Sequence, residues 1–559
     1  MLAIKTVTWD DLEPRFSALL EAPLTPDNVA NWLANWTRLA EEVDEAYSRL
    51  YIATTQDTTD EDLEQTFKTF LENVYSHVEK AEQQLKQKLL NSGLEPAGFK
   101  LPLRRMRAAA DLFREKNLPL LNAERKVVFQ FNRAMGAMTV PWEGEERTLQ
   151  QMENVLLDGD RAVRERAWRA TSQRWLDNSE TVNECWGQFM DVRRQIAANA
   201  GFDSYRDYRW QHLNRFAYTP EDCKTFHAAI EEVVVPAARR IYTRRQARLG
   251  VETLRPWDLA VDPTGKPALH PFDTVAQLVQ TGSAIFHQVD AQLGGYFDTM
   301  RTEDLLDLEN RKGKGPGAYS GGLEVSKRPF IFMNATGHFG DVRTLLHEAG
   351  HAFHAFEAFE LPYLPQREVP MEFAEVASMA MELLAAPYLM KDQGGFYDEA
   401  DYRRARTQHL EKIVLFWPYM AVVDAFQHWV YENHDAASDP ANCDAQWAAL
   451  WDRFMVGIDY SGLEPDKANG WHRKRHIHRT PFYYVEYGLA QLGAVLVWRN
   501  ALQDPAGALA AYRHALALGG TVSLPDLYEA AGVQFTFEAG GLSEAINLIE
   551  AQLAEFDPA

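Results

Sequence analysis

Cysteine is scarce: Cys185, Cys223 and Cys443 are the three in 559 residues. Their odd number and wide separation exclude a disulfide framework and a C-x-x-C metal knuckle, and fit a reducing compartment. Basic charge is short as well. Fifty-seven Lys and Arg face 80 Asp and Glu, a net charge of −23. That balance argues against nucleic acid or an anionic membrane as the main partner, because both need basic patches. Long apolar runs are missing too. Val376–Met390 comes closest to the roughly 20 residues of a membrane span, and Glu382 interrupts it. Asp10, Asp11 and Glu13 stand where a secretion signal would need an apolar core. Asn35-Trp36-Thr37 matches a glycosylation acceptor and, without such a signal, is read as chance. The expectation is a soluble, cytoplasmic protein. At this length, with 46% hydrophobic residues, it should divide into more than one structural lobe.

Helical signals dominate what is present. Thr25-Pro26-Asp27 and Thr219-Pro220-Glu221-Asp222 place a cap residue before Pro and acids in the first turn. Thr148-Leu149-Gln150-Gln151 fits a capping box for a helix reaching Leu156, where Asp158-Gly159-Asp160 breaks it. Val163, Ala167 and Ala170 then repeat at helical spacing, and Ser543 is placed to cap a stripe of Ile546, Ile549, Leu553 and Phe556. Residues 1–135 read as a helical N-terminal lobe with long polar-faced helices such as Leu63–Leu90, and residues 136–559 as a catalytic region. Thr139–Trp142 and Arg147-Thr148 flank Glu143–Glu146 as a small hairpin, and Leu254–Phe272 shifts to the composition of a surface loop.

A second strand-like region carries more weight. Arg311–Gly322 holds five glycines, and Pro329-Phe330-Ile331-Phe332-Met333-Asn334 is a short apolar run bounded by breakers. No G-x-x-x-x-G-K-[ST] pattern makes it a phosphate loop. The glycines fit either a mobile connector or a flexible flap, followed by an edge strand able to bind an extended peptide through its main chain.

Within a dozen residues of that strand comes His347-Glu348-Ala349-Gly350-His351, with His354 three residues on. No Pro interrupts Gly340–Leu361 and the flanks are apolar, so the stretch predicts a helix. Residues four apart lie about 6 Å along the axis and nearly in line. His347 and His351 therefore project side by side, close enough to share one tetrahedral Zn²⁺ at about 2.0–2.1 Å. Glu348 is rotated around the helix, placed to act on a water rather than on the metal. His354 shares the ligand face one turn beyond His351 and reads as support or packing.

Pro370 opens a second helix, Met371–Glu382, on which Glu372, Glu375 and Glu382 fall on roughly one face against Phe, Val, Met and Ala. It begins at hairpin distance from His351, so a metal or buried-ion role fits it better than a solvated acidic stripe.

With these residues the chain resembles the thimet oligopeptidase and oligoendopeptidase F family of zinc metallopeptidases. The resemblance rests on His347-Glu348-Ala349-Gly350-His351-Ala352-Phe353-His354 and on Glu372-Phe373-Ala374-Glu375-Val376-Ala377-Ser378. It implies one Zn²⁺ per chain held by His347, His351 and Glu375, with Glu372 at most supporting them. Ala377 stands where relatives often carry Pro, a harmless change on a helix. A third block, Trp471–Tyr487, supports the match. Seven of the sixteen histidines lie in 338–354 and 472–478, a clustering that core packing explains poorly. Relatives carry a His and spaced tyrosines there that grip the substrate carbonyl. The pattern H-x-x-x-x-Y-x-x-x-Y gives His478, Tyr483 and Tyr487, with His476 and Tyr484 as rival assignments.

The resemblance further implies a mostly α-helical, two-lobed zincin-type metallopeptidase around a deep substrate channel, with a small β-sheet beside the active-site helix. The implied function is a zinc-dependent oligoendopeptidase. It would cut internal bonds of short unstructured peptides with zinc-activated water and Glu348 as general base. A carboxypeptidase or dipeptidyl carboxypeptidase, with Arg473, Lys474, Arg475 or Arg479 capturing the terminal carboxylate, is the alternative. A non-catalytic peptide-binding scaffold is disfavoured by the complete set His347, Glu348, His351 and Glu375. Sequence leaves the oligomeric state open.

Overall fold

The computed structural model describes residues 7–557. Helices dominate, and several begin where side-chain chemistry offers a cap. Thr148 and Gln151 exchange hydrogen bonds at the start of Leu149–Val155. Asp160 caps Arg161–Asp177 by accepting from Ala162 N at 2.8 Å. Thr219 and Asp222 do the same for Pro220–Ala229. Each pairing satisfies main-chain donors that a helix leaves open at its first turn.

Two helix starts differ from the sequence expectation. Thr25-Pro26 begins a turn, because the Asn28 side chain accepts from Thr25 N and donates to Pro23 O, and the helix runs Val29–Gln56. The C-terminal helix is Ala539–Phe556, so Ser543 lies inside it. Buried Leu542 and Ala545 extend the apolar stripe one turn earlier. The expected Leu63–Leu90 helix is one rod, Glu61–Phe70 and Ser76–Ser92, joined through a π segment at Leu71–Tyr75.

The chain gathers into two units, each drawing on segments from either side of residue 135. Unit 1 comprises residues up to Ala110, Leu269–Arg406 and Ala490–Phe535; unit 2 comprises Asp111–Ala268, Thr407–Leu489 and the segment from Thr536. Unit 2 contains a hairpin of β1 (Thr139–Trp142) and β2 (Glu145–Thr148). Glu143 and Gly144 both take positive φ, 52° and 88°, as a two-residue turn matched to strand twist requires.

Unit 1 contains the second sheet: β3 (Leu306–Glu309), β4 (Tyr319–Leu323) and β5 (Arg328–Ala335), in the order β3-β5-β4. The apolar run expected as an edge strand is β5, the middle strand, parallel to β3 and antiparallel to β4. Pro329–Met333 is buried throughout, which a doubly flanked strand allows and an edge does not. The edges are β3 and β4, and β4 is built from the glycine-rich segment itself.

The glycine-rich stretch before β4 is fastened rather than free. Gly315 N donates to Thr55 O at 2.7 Å and Thr58 N to Gly313 O at 2.6 Å. Lys314 Nζ, with its side chain fully buried, donates to the carbonyls of Asp307, Glu309 and Met333 at 2.6–2.9 Å. Asn334 Nδ2 donates to the carbonyls of Gly315 and Gly317. With four or more such anchors neither a mobile connector nor a flexible flap describes it. β5 then leads directly into the helix that carries the histidines.

Candidate active site

That helix, α1 (Phe339–Ala358), is tied to the end of β5 by Asp341, whose Oδ2 accepts from Thr336 N at 2.7 Å and His338 N at 3.0 Å. The second acidic helix is α2 (Met371–Leu384). The two approach at Gly350, where a Cβ would lie 2.6 Å from Ser378 Cα and 2.7 Å from Ala377 O. Glycine at that position is what allows the backbones to come so close. From α3 (Pro505–Ala517), Tyr512 donates its hydroxyl proton to the same Ala377 carbonyl at 2.7 Å.

This close approach brings three donors together. His347 Nε2 lies 3.4 Å and His351 Nε2 3.8 Å from Glu375 Oε2, and all three ligand atoms fall within 4.8 Å of one another. The two rings stand 5.0 Å apart and nearly perpendicular. Each is held from its other side. His347 Nδ1 pairs with Glu382 Oε1 at 2.8 Å, and the His351 ring hydrogen-bonds the main chain of Ala374. Ser378 Oγ reaches Glu375 Oε2 at 3.2 Å and Glu375 O at 3.1 Å. Such outer partners fix ring orientation and tautomer around a metal.

The electrostatics favour a cation between these groups. Burial opposes charge on His347, yet hydrogen bonds to Glu375 and Glu382 outweigh it and raise the imidazole to about 10. Burial would push Glu375 up, but His347 and His351 hold it below its usual value. Burial lowers His351 to about 4, leaving a neutral ring with a lone pair. Two imidazoles and a carboxylate at this spacing, with orienting partners in place, fit a tetrahedral divalent ion with one position to spare.

Glu348, 7% exposed, stays out of the trio. Burial, reinforced by Glu375 and Glu382 and opposed by His347, lifts its carboxyl to about 7, and the Ser320 N–H on edge strand β4 donates to it. A proton acceptor near neutrality suits general-base work. His354 is buried against Phe373 and pushed by burial down to about 3, as a packing residue would be. Glu372 is buried and likewise outside the trio.

The third block folds within unit 2 and splits in two. His478 is 0% exposed, its ring stacked on Phe131 at 4.4 Å and on Trp471 at 5.6 Å, with Trp186 edge-on at 5.7 Å. His472 is also buried, hydrogen-bonded to Asn183 and Asn469. His476, Tyr483 and Tyr487 are half-buried and form one ring cluster, with centroids 5.4–5.9 Å apart. Buried Tyr484 packs against all three residues' cluster through His476 and Tyr487. Phe482, a non-glycine residue at φ 65°, sets the turn before them, its N–H donating to Gln427 Oε1 at 2.7 Å and its carbonyl accepting from Arg215.

Sequence reading missed the roles of Gly350, Ser378, Glu382 and Ser320. Glu382 had a signal, since it lies two turns beyond Glu375 on the same face; Ser320 had none, because strand pairing places it.

Comparison with known proteins agrees with this geometry. Residues 155–546 match the model of peptidase family M3, and residues 2–97 that of the peptidase M3 N-terminal domain. The chromosomal oligoendopeptidase F of Lactococcus lactis subsp. cremoris is 24% identical over 452 residues, covering 78% of this chain and 69% of the relative. An oligoendopeptidase F homolog of Borreliella burgdorferi is 23% identical over 257 residues, of which the match spans only 42% of the relative. Among solved structures, PZ peptidase A with an inhibitor has a TM-score of 0.89 at 28% identity, covering 100% of this chain and 99% of that one. The oligoendopeptidase F of Enterococcus faecium, at 15% identity and a TM-score of 0.64 over 98% of this chain and 97% of its own, shares the fold. With the family model spanning most of the sequence, the chain belongs to peptidase family M3 and is a metalloendopeptidase of the oligopeptidase kind.

Proposed function

We propose that the metal is a single catalytic Zn²⁺ held by His347, His351 and Glu375, and that the substrates are short unstructured peptides cut at internal bonds. The observation that carries this reading is the convergence of His347 Nε2 and His351 Nε2 on Glu375 Oε2, with Glu348 beside them and outside the ligand set. When bound, Zn²⁺ polarises the scissile carbonyl and lowers the pKa of water towards about 7. Glu348 takes the proton of the attacking water and delivers it to the leaving amine. Ser320 N–H orients the Glu348 carboxylate, and Glu382 and Ser378 hold His347 and Glu375 in register. The family resemblance assigns oxyanion support to a histidine and tyrosines of the third block; within that block His476, Tyr483 and Tyr487 are the half-buried candidates, whereas His478 is enclosed by aromatic rings. The three cysteines, all buried and none in a disulfide, accord with a cytoplasmic setting.

The test is digestion of a mixed peptide library by wild type and Glu348→Ala, with products read by mass spectrometry. Internal cuts that vanish in the variant support the proposal; identical products from both sink it. One observation favours an exopeptidase reading. Lys474 Nζ sits 3.8 Å over the Tyr484 ring, and burial lowers its amine to about 8, so a cation stands beside the tyrosines where a terminal carboxylate could pair with it. Peptides with amidated C-termini separate the two: if they resist cleavage, the exopeptidase reading holds.

A further inference from the structure

Unit 2 holds a second constellation of metal-binding side chains that the peptidase reaction does not use. Cys223 and His227 are four residues apart on the helix Pro220–Ala229, and Asp424 and His428 are four apart on Glu399–Glu432. Each pair therefore projects from one helix face, the same geometry that brings His347 and His351 together. All four are buried, Cys223 and Asp424 at 0% exposure. The ligand atoms of Cys223, Asp424 and His428 lie within 4.8 Å of one another. His227 Nε2 is 2.8 Å from Asp424 Oδ2, and His428 Nε2 is 3.4 Å from the same oxygen. Asp424 Oδ1 and His428 Nε2 are buried with no hydrogen bond.

A carboxylate fully removed from water needs a countercharge. Among the described residues, Asp424 has ion-pair contacts only with these two imidazoles. Around the cluster lie aromatic rings, Trp210 and Phe482 at 5.8 and 5.3 Å from His428. A thiolate and a carboxylate together would neutralise a divalent ion, and a sulfur–nitrogen–oxygen donor set suits a borderline-soft metal better than Ca²⁺ or Mg²⁺.

We propose that Cys223, Asp424 and His428 form a structural site for a Zn²⁺-type ion inside unit 2, separate from the His347–His351–Glu375 centre. His227 orients the carboxylate through its Nε2–Asp424 Oδ2 hydrogen bond, and the three ligands leave a fourth tetrahedral position for water. The ion would join the helix Pro220–Ala229 to the long helix Glu399–Glu432, so its binding contributes to folding of the unit.

The two centres differ in one spectroscopic respect, since only this one contains sulfur. The full chain is loaded with Co²⁺ and assayed for metal content and near-ultraviolet thiolate-to-cobalt absorption. Wild type should bind about two equivalents, as two protein-ligated sites require, and show the thiolate band. His347→Ala should lose about one equivalent and all peptide cleavage yet keep the band, because its remaining ion is the sulfur-ligated one. Cys223→Ser should lose the band and unfold at lower temperature. About one equivalent in wild type with no thiolate band overturns the proposal and leaves the cluster a buried Asp–His hydrogen-bonded set. A band that survives Cys223→Ser overturns it as well. The wild-type and His347→Ala measurements decide the matter even if Cys223→Ser does not fold, and neither depends on what the His347 centre does to peptides.

Discussion

Two stretches of this chain are rich in histidine, four in 338–354 and three in 472–478, and the fold surrounds them differently. In 338–354, His347 and His351 keep about a quarter of their side chains open (23% each) and point at a carboxylate. In 472–478, His472 and His478 are enclosed, the latter by Phe131, Trp186 and Trp471, and burial drives His472 down to about 3. The difference lies in what faces each ring. An imidazole opposite Glu375 and Glu382 has the surroundings of a metal ligand; an imidazole against aromatic faces has those of a core residue. Clustering of histidines therefore points to metal ligation only where a second helix brings acids to meet them.

The largest expected effect lies on the first stretch. Glu348→Gln should lower kcat by about 10²–10⁴-fold, the range for loss of a general base, with metal content unchanged by atomic spectroscopy. The two stretches can then be played against each other. His476→Ala should reduce kcat by roughly 10²-fold through loss of oxyanion support while leaving chemical unfolding unchanged. His478→Ala should do the reverse, costing about 2–4 kcal/mol in urea unfolding as a cavity-forming core substitution with kcat retained by the folded enzyme. If His478→Ala instead spares stability and removes activity, the contrast between the stretches fails.

A smaller effect sharpens the role of the acids. Glu382→Gln keeps the side-chain shape but removes the negative charge that faces His347 Nδ1, and should weaken metal binding about 10–100-fold in competition with a chromophoric chelator. The smallest effect asks whether acids elsewhere in unit 1 also alter stability. Burial, together with Glu82, Glu324 and Glu41, raises Asp44 to about 7. The folded chain then binds this proton more tightly than the unfolded chain, so the contribution is fully present below the ordinary carboxyl value of 3.8 and is lost as pH rises towards 7. Asp44→Asn should flatten the decline in melting temperature between those pH values; an unchanged decline would assign it to other groups.

What was legible in the sequence was local. The box at Thr148, the cap at Thr219 and the hairpin are decided by near neighbours and formed as read, except that Glu145 and Glu146 join the second strand and leave Glu143-Gly144 as the turn. His347 and His351 were legible for the same reason, since four residues on a helix fix their spacing. Glu375 needed the resemblance to a known family, because Glu372 and Glu382 share its face and spacing does not select among the three. The position of β5 inside its sheet was not legible, since an apolar run reads alike whether one neighbour flanks it or two. His478 was misleading because residue spacing carries no information about the aromatic rings that enclose it. Asn28 and the glycines before β4 teach the same lesson: a side-chain bond or a buried lysine can overrule a cap signal or a flexible composition.

The proposed division of labour between Glu348 and Glu375 is tested by one paired measurement: metal content and peptide turnover of Glu348→Gln beside Glu375→Gln. Glu348→Gln should retain its active-site metal and lose turnover, while Glu375→Gln should lose about one equivalent of metal, as removal of one of three protein ligands predicts. Wild-type turnover in Glu348→Gln, or metal held at full affinity by Glu375→Gln, would contradict it.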